Sequence, residues 1–150
     1  MKKTLKYLVL VVSILSVLCA CGVDKLKPTT TTAVVDKLKE MGIYDSSEAS
    51  EKTALSGAKQ VNGITTNYWS YAFFDFVDDA EACDKCITLL NMSVDVDSEI
   101  EGSNYKIVEG KSDGGYMFTC RIDNTVLNVW APESSKDDVI SFAKDLGYYK

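Results

Sequence analysis

The chain has 150 residues, 46% hydrophobic and 25% charged, which suits one globular domain. Its formal charge is −6, and leaving out the three lysines of the first 20 residues brings the remainder to −9. A surface of that sign repels phosphate backbones and anionic lipid, which argues against nucleic acid as a partner.

The first 22 residues, "MKKTLKYLVLVVSILSVLCACG", have the three parts of a secretory signal. Lys2, Lys3 and Lys6 form a basic start, and Tyr7 to Leu18 an apolar stretch of 12 residues. That falls short of the roughly 20 residues a membrane span needs. A small-residue zone follows, and here the chain resembles bacterial lipoprotein precursors, whose cleavage motif reads Leu, small, small, Cys. Leu18-Cys19-Ala20-Cys21 fits that motif with Cys21 as the lipidated residue, whereas Cys19 has Leu18 where a small residue belongs. The alternatives are a plain secretory signal or an uncleaved anchor. The resemblance implies a signal peptide over 1–20 and acyl chains on Cys21. It places the protein, extracytoplasmic, at the outer face of the bacterial cytoplasmic membrane. Each buried CH₂ of an acyl chain contributes roughly 0.8 kcal/mol, so several chains anchor stably.

"GVDKLKPTTTT", Gly22 to Thr32, is polar and threonine-rich and reads as a flexible tether over 21–32, with a reach of about 35 Å. The folded domain is expected over 33–150. A helix is predicted from Ala33 to Met41, capped by Thr32, with Val34, Leu38 and Met41 at helical spacing and Gly42 as its stop. Ile43 to Gly63 carries a weak signal, compatible with loop, helix or both. "NYWSYAFFDFV", Asn67 to Val77, is apolar on both alternating faces, as a strand inside a sheet would be. Asp78 or Asp79 then caps a helix running to about Asn91.

"DVDSEIEGSN" reads as an acidic, solvated loop; glycine is eighth and Lys106 twelfth, against the sixth-position glycine and twelfth-position glutamate of a calcium loop. Three strands follow: "YKIVEG", "GYMFTCRI" and "TVLNVWA". Asp123-Asn124 is a two-residue turn that sets Ile122 opposite Thr125, Cys120 opposite Leu127, Phe118 opposite Val129 and Tyr116 opposite Ala131 on an apolar core face. Met117 and Trp130 face each other on the other side, as a partner-binding patch or a surface covered by Ile43–Gly63. A last helix is expected from Ser135, with Asp138 completing a capping box, Val139, Ile140, Ala143 and Leu146 as its buried stripe, and Gly147 as its stop. The expected fold is α+β, a single domain with helices on an antiparallel sheet of about four strands, in the order α-β-α-β-β-β-α.

Several of these segments are similar to a group of small lipoproteins from clostridia-like Gram-positive bacteria. The shared features are the cleavage motif, the Thr-rich tether, Lys39-Glu40-Met41-Gly42-Ile43-Tyr44-Asp45, the aromatic strand before an acidic helix, and the Cys120 to Thr125 hairpin. The resemblance implies localisation and fold, and brings no catalytic residue.

The chain contains no histidine, which removes the commonest general base and metal ligand. No metal or cofactor is expected. Cys83-Asp84-Lys85-Cys86, after an aromatic strand, has the order in which thioredoxin-like proteins hold a reactive pair. Against a redox role, the pair sits about a turn into the helix, and Asp79, Glu81 and Asp84 raise thiol pKa values there. The structural alternatives are a Cys86–Cys120 bridge from helix to sheet, a local Cys83–Cys86 bridge, or three small buried residues. Asp75, Asp78 and Asp79 cluster at a strand end, where capping accounts for the last two. The expectation is therefore a lipid-anchored, non-enzymatic envelope domain that binds a protein or surface ligand. The alternative is a membrane-tethered thiol-disulfide redox protein using Cys83 and Cys86.

Overall fold

The computed structural model describes residues 24–44, 50–53, 58–65 and 68–150. The signal region and Cys21 lie outside the described residues.

Helix α1, Thr31–Glu40, opens on Thr30, not Thr32: the Thr30 hydroxyl accepts from the Ala33 amide at 3.2 Å. Gly42, at φ +69°, ends the helix, and the Ile43 amide closes back onto the Leu38 carbonyl at 3.0 Å. Then come β1 (Ser50–Thr53), β2 (Lys59–Ile64) and β3 (Ser70–Asp75). Helix α2 (Ala80–Asn91) is capped by Asp79, whose carboxylate accepts from the Ala82 amide at 2.9 Å. Strands β4 (Asp95–Glu101), β5 (Tyr105–Ser112), β6 (Gly115–Ile122) and β7 (Thr125–Pro132) follow as a meander. A 3₁₀ turn, Glu133–Ser135, leads into α3 (Lys136–Asp145). Ser135 occupies the cap position of α3, but its side chain makes no capping bond.

All strands pair antiparallel, in the spatial order β1-β2-β3-β7-β6-β5-β4. Six of them have six to eight residues, and the four-residue β1 lies at one edge. This overturns the expected sheet of about four strands and the order α-β-α-β-β-β-α. Of the unexpected strands, β1 falls within Ile43–Gly63, β2 runs one residue past it to Ile64, and the third is the acidic "loop".

The reason is different in each case. On β2, the core-facing positions are Val61 and Gly63, both buried, while Gln60 and Asn62 take the other face, so apolar alternation is nearly invisible. Strand β4 is the other edge of the sheet and is largely exposed on both sides. Its acids meet lysines of β5, with Glu99 and Lys106 2.8 Å apart, and the pairing register shifts between Val96 and Ser98. Charge and a bulge are how an edge strand avoids pairing with other chains, and they erase the hydrophobic pattern.

The register expected for the β6–β7 hairpin is observed, from Ile122 opposite Thr125 to Tyr116 opposite Ala131. The positive φ of its turn falls on Asp123, at +49°. This face, with Tyr71 and Phe73 of β3, forms the main core against α1 (Val34, Leu38) and α3 (Val139, Phe142, Ala143). Tyr148, fully buried, meets Phe73 edge-on at 6.2 Å. Within this layer Glu109 is buried and accepts hydrogen bonds from the Tyr116 hydroxyl at 2.6 Å and the Tyr149 hydroxyl at 2.9 Å.

Helix α2 covers the opposite face, where Cys83 packs with Phe76, Val126 and Ala58 in a second, smaller core. Residues 24–30, expected as part of a free tether, lie along one end of the sheet. Leu26 exchanges two hydrogen bonds with the Asn104 side chain, at 3.1 and 2.9 Å, and packs on the main core.

Candidate functional site

Helix α2 carries more apolar circumference than the sheet beneath it buries. Cys83 and Ile87 point inward and are buried. Asp84 pairs with Arg121 of β6, whose Nε also donates to the Asp123 carbonyl at 2.8 Å, so the helix is pinned on its β6–β7 side. Its other side overhangs β2 and β3 and leaves a groove of about 670 Å³. Phe74, Phe76, Ala82, Cys86, Leu89 and Leu90 line it, and Gln60, Asp79, Glu81 and Lys85 stand around them. Phe74 and Phe76 stack with ring centroids 6.0 Å apart. Leu89 is 67% exposed, so this is apolar surface held open to solvent. Glu81 and Lys85 pair at 2.6 Å on the rim.

Cys86 sits half-buried in the groove, and Cys83 lies beneath the helix. All three described cysteines, Cys83, Cys86 and Cys120, are free thiols. Burial pushes the Cys83 thiol up to about 11, with Arg121 opposing it. Burial raises Cys86 to about 11 as well, and raises Cys120 further. Cys120 belongs to the main core, on the far face of the sheet from α2. The helix-to-sheet bridge between Cys86 and Cys120 is therefore not formed: the pairing assumed that α2 lies on the main-core face. Desolvation also works against the thiolate that exchange chemistry needs.

Met117 and Trp130 are cross-strand neighbours on the α2 side, as the hairpin register requires, and both are half-buried. The indole folds over Gly115, where a Cβ would come within 2.5 Å of the ring, and its N–H donates to the Ser112 carbonyl at 2.8 Å. Asn128 donates to Thr119 at 2.8 Å and to the Met117 sulfur at 3.2 Å. The pair is thus tied into its own sheet. The described parts of Ile43–Gly63 extend the main core and the sheet edge, and place Ala58 in the smaller core on the α2 side.

The carboxylates near the end of β3 serve the local chain. Asp75 accepts from the Val77 amide at 3.1 Å, and Asp79 caps α2. Among the described residues, no three of Cys, Asp and Glu gather in a way that would hold a metal ion. No described helix is long and apolar enough to cross a membrane.

The sequence carries a signal for the groove. Ala82, Cys86 and Leu89 form one helical stripe, beside the Cys83 and Ile87 that the sheet buries. One sheet face can bury only one such stripe fully.

No family model matches the chain, and no curated protein does. Among solved structures, the fold is similar to that of a GTP-binding regulator from Thermotoga maritima. The TM-score is 0.53 with 12% identity, over 81% of this chain and 90% of that one. At that identity the likeness concerns the fold.

Proposed function

We propose that the protein is a lipid-anchored, non-enzymatic binding domain of a bacterial envelope, held at the outer face of the cytoplasmic membrane by acyl chains on Cys21. Its groove beside α2 receives apolar groups of a partner protein or surface ligand. The observation that carries the binding reading is the open apolar groove itself, with an aromatic floor and Leu89 standing in solvent. Small-ligand and peptide sites are concave, mainly apolar and edged by a few polar groups. The Leu18-Cys19-Ala20-Cys21 motif supports the anchor.

Two other readings find less support. Thiol exchange through Cys83 and Cys86 needs an accessible, acidified thiol, whereas Cys83 is fully buried and both thiols are raised. The GTP binding named for the Thermotoga protein finds little support among the described residues. Gly110-Lys111-Ser112 has the ending of a phosphate-binding loop, but Tyr105 stands where its first glycine belongs. The run also lies within strand β5, with Lys111 turned to Glu133 at 3.6 Å.

Titration with Nile red, a neutral apolar probe, tests the groove. The full chain binds saturably with a blue shift, Leu89→Asp weakens binding about tenfold, and Met92→Asp, equally exposed but outside the groove, leaves it unchanged. No saturable binding, or binding indifferent to Leu89→Asp, defeats the reading. Incorporation of labelled palmitate in a bacterial host, lost in Cys21→Ala, tests the anchor separately.

A further inference from the structure

Residues 24–30 form a strap across one end of the sheet. The Asp24 carbonyl accepts from the Ser103 amide at 3.1 Å and from its hydroxyl at 2.8 Å. The Asp24 carboxylate accepts from the Tyr105 hydroxyl at 2.8 Å and pairs with Lys150 at 2.5 Å. Two bonds join Leu26 to Asn104, and Asn104 also donates to Asp123 of the β6–β7 turn at 3.1 Å. The strap therefore fastens the β4–β5 turn, the β6–β7 turn and the C-terminus to the segment that leads back to Cys21. Only Gly22 and Val23 separate Cys21 from this attachment. Three Cα steps span at most about 11 Å, a third of what a free tether over 21–32 would reach.

We infer that the strap makes the lipid anchor an orienting device: the domain stands end-on, with its β4–β5 and β6–β7 turns against the lipid headgroups. The inference rests on the reading of Cys21 as lipidated. The partner of this surface is the headgroup layer of the bilayer that holds the acyl chains. Two cations stand toward that occupant. In a mature chain that is strongly acidic, exposed Lys25 and Lys27 lie on the strap itself, and no described acid pairs with either. Asp24 pairs with Lys150 and Asp84 with Arg121, while exposed Asp78, Asp79 and Glu101 also lie toward this end, so the short link to Cys21, not net charge, selects the occupant. The N-terminus of α2 lies at this same end, because the Phe76 amide bonds the Asn124 carbonyl. The groove's Phe76 and Asp79 end then faces the membrane and its Leu89 end faces away, so a partner reaches it from the side.

The test uses the full chain, lipidated in a bacterial host and reconstituted in phosphatidylcholine–phosphatidylglycerol vesicles with acceptor-labelled headgroups. A fluorophore is carried by a non-canonical residue at exposed Glu101, by the strapped end, or at exposed Ser134, at the far end. Strand β5 separates the two ends by eight residues, about 26 Å at 3.3 Å per residue. Energy transfer is expected to be several-fold stronger from position 101, and a ten-residue Gly-Ser insertion after Gly22 should abolish the difference. Equal transfer from both positions in the lipidated protein overturns the strap inference while leaving the anchor standing. An intact mass without acyl chains at Cys21 overturns both, so the two failures are distinguishable.

Discussion

Cys83 and Cys120 lie on opposite faces of one sheet, the first beneath α2 beside Val126, the second in the main core beside Leu127. A continuous layer of hydrogen-bonded backbone separates them. No rotation of either side chain brings the sulfurs together, so neither Cys83 nor Cys86 can pair with Cys120 without unfolding.

Thiol reactivity follows. With Cys83 and Cys86 at about 11, their thiolate fraction at pH 8 is on the order of one in a thousand. Alkylation at pH 8 is expected to modify Cys86 slowly and Cys83 and Cys120 only in denaturant. The Cys86 rate should climb with pH toward 11. Intact mass at timed intervals reads this out, and a fast-reacting pair at pH 7 would contradict it.

Glu109 is held by two hydroxyls, and removing one leaves a buried carboxylate short of a donor. Tyr116→Phe is expected to cost about 1–3 kcal/mol, and Tyr149→Phe less, because Tyr149 reaches the surface and water can replace it. Urea midpoints of the two variants check the order.

Val77 is β-branched, exposed, and at φ +41° in the turn that leads from β3 to α2. Left-handed backbone costs such a residue roughly 1–2 kcal/mol, which glycine escapes, less what glycine loses in chain entropy. Val77→Gly should stabilise by about 0.5–1 kcal/mol and raise Tm by a few degrees. Val77→Ile, which keeps both the branching and the strain, should not.

The strap has a pH window. The hydrogen bonds from Lys150 and Tyr105 hold the Asp24 carboxyl below the usual aspartate range. Its stabilising contribution is therefore present above pH 4 or so and is lost as pH falls through its lowered value. Lys150 is raised by the same contact, so its contribution holds below the ordinary lysine value and is lost in strong alkali. The protection factor of the Leu26 amide in hydrogen exchange should be high and level between pH 5 and 9 and fall below pH 4. In Asp24→Asn it should be lower and without the acid step.

The residues that announce themselves in the chain do so through local rules. Asp79 before an apolar helical run, Gly42 and Gly147 after one, and the Asp123-Asn124 pair between two apolar strands each act over a few residues, and each appears where its chemistry puts it. The proposed leader with Cys21 rests on a local motif too, one read along the chain alone. What sequence alone leaves open is which face each element presents to which neighbour. Strands β2 and β4 carry too few apolar residues to show alternation, since one rests on a core built mostly by others and the other is an edge whose charges keep it from pairing further. The meander from β4 to β7 sends α2 to the face away from α1 and α3, separates Cys86 from Cys120, and leaves the outer stripe of α2 open as a groove. The strap is decided there as well, because Asp24 and Leu26 find their partners some 80 positions away, on Tyr105 and Asn104. Spacing along a chain reports period and caps, whereas burial depends on what the rest of the molecule brings to the same place.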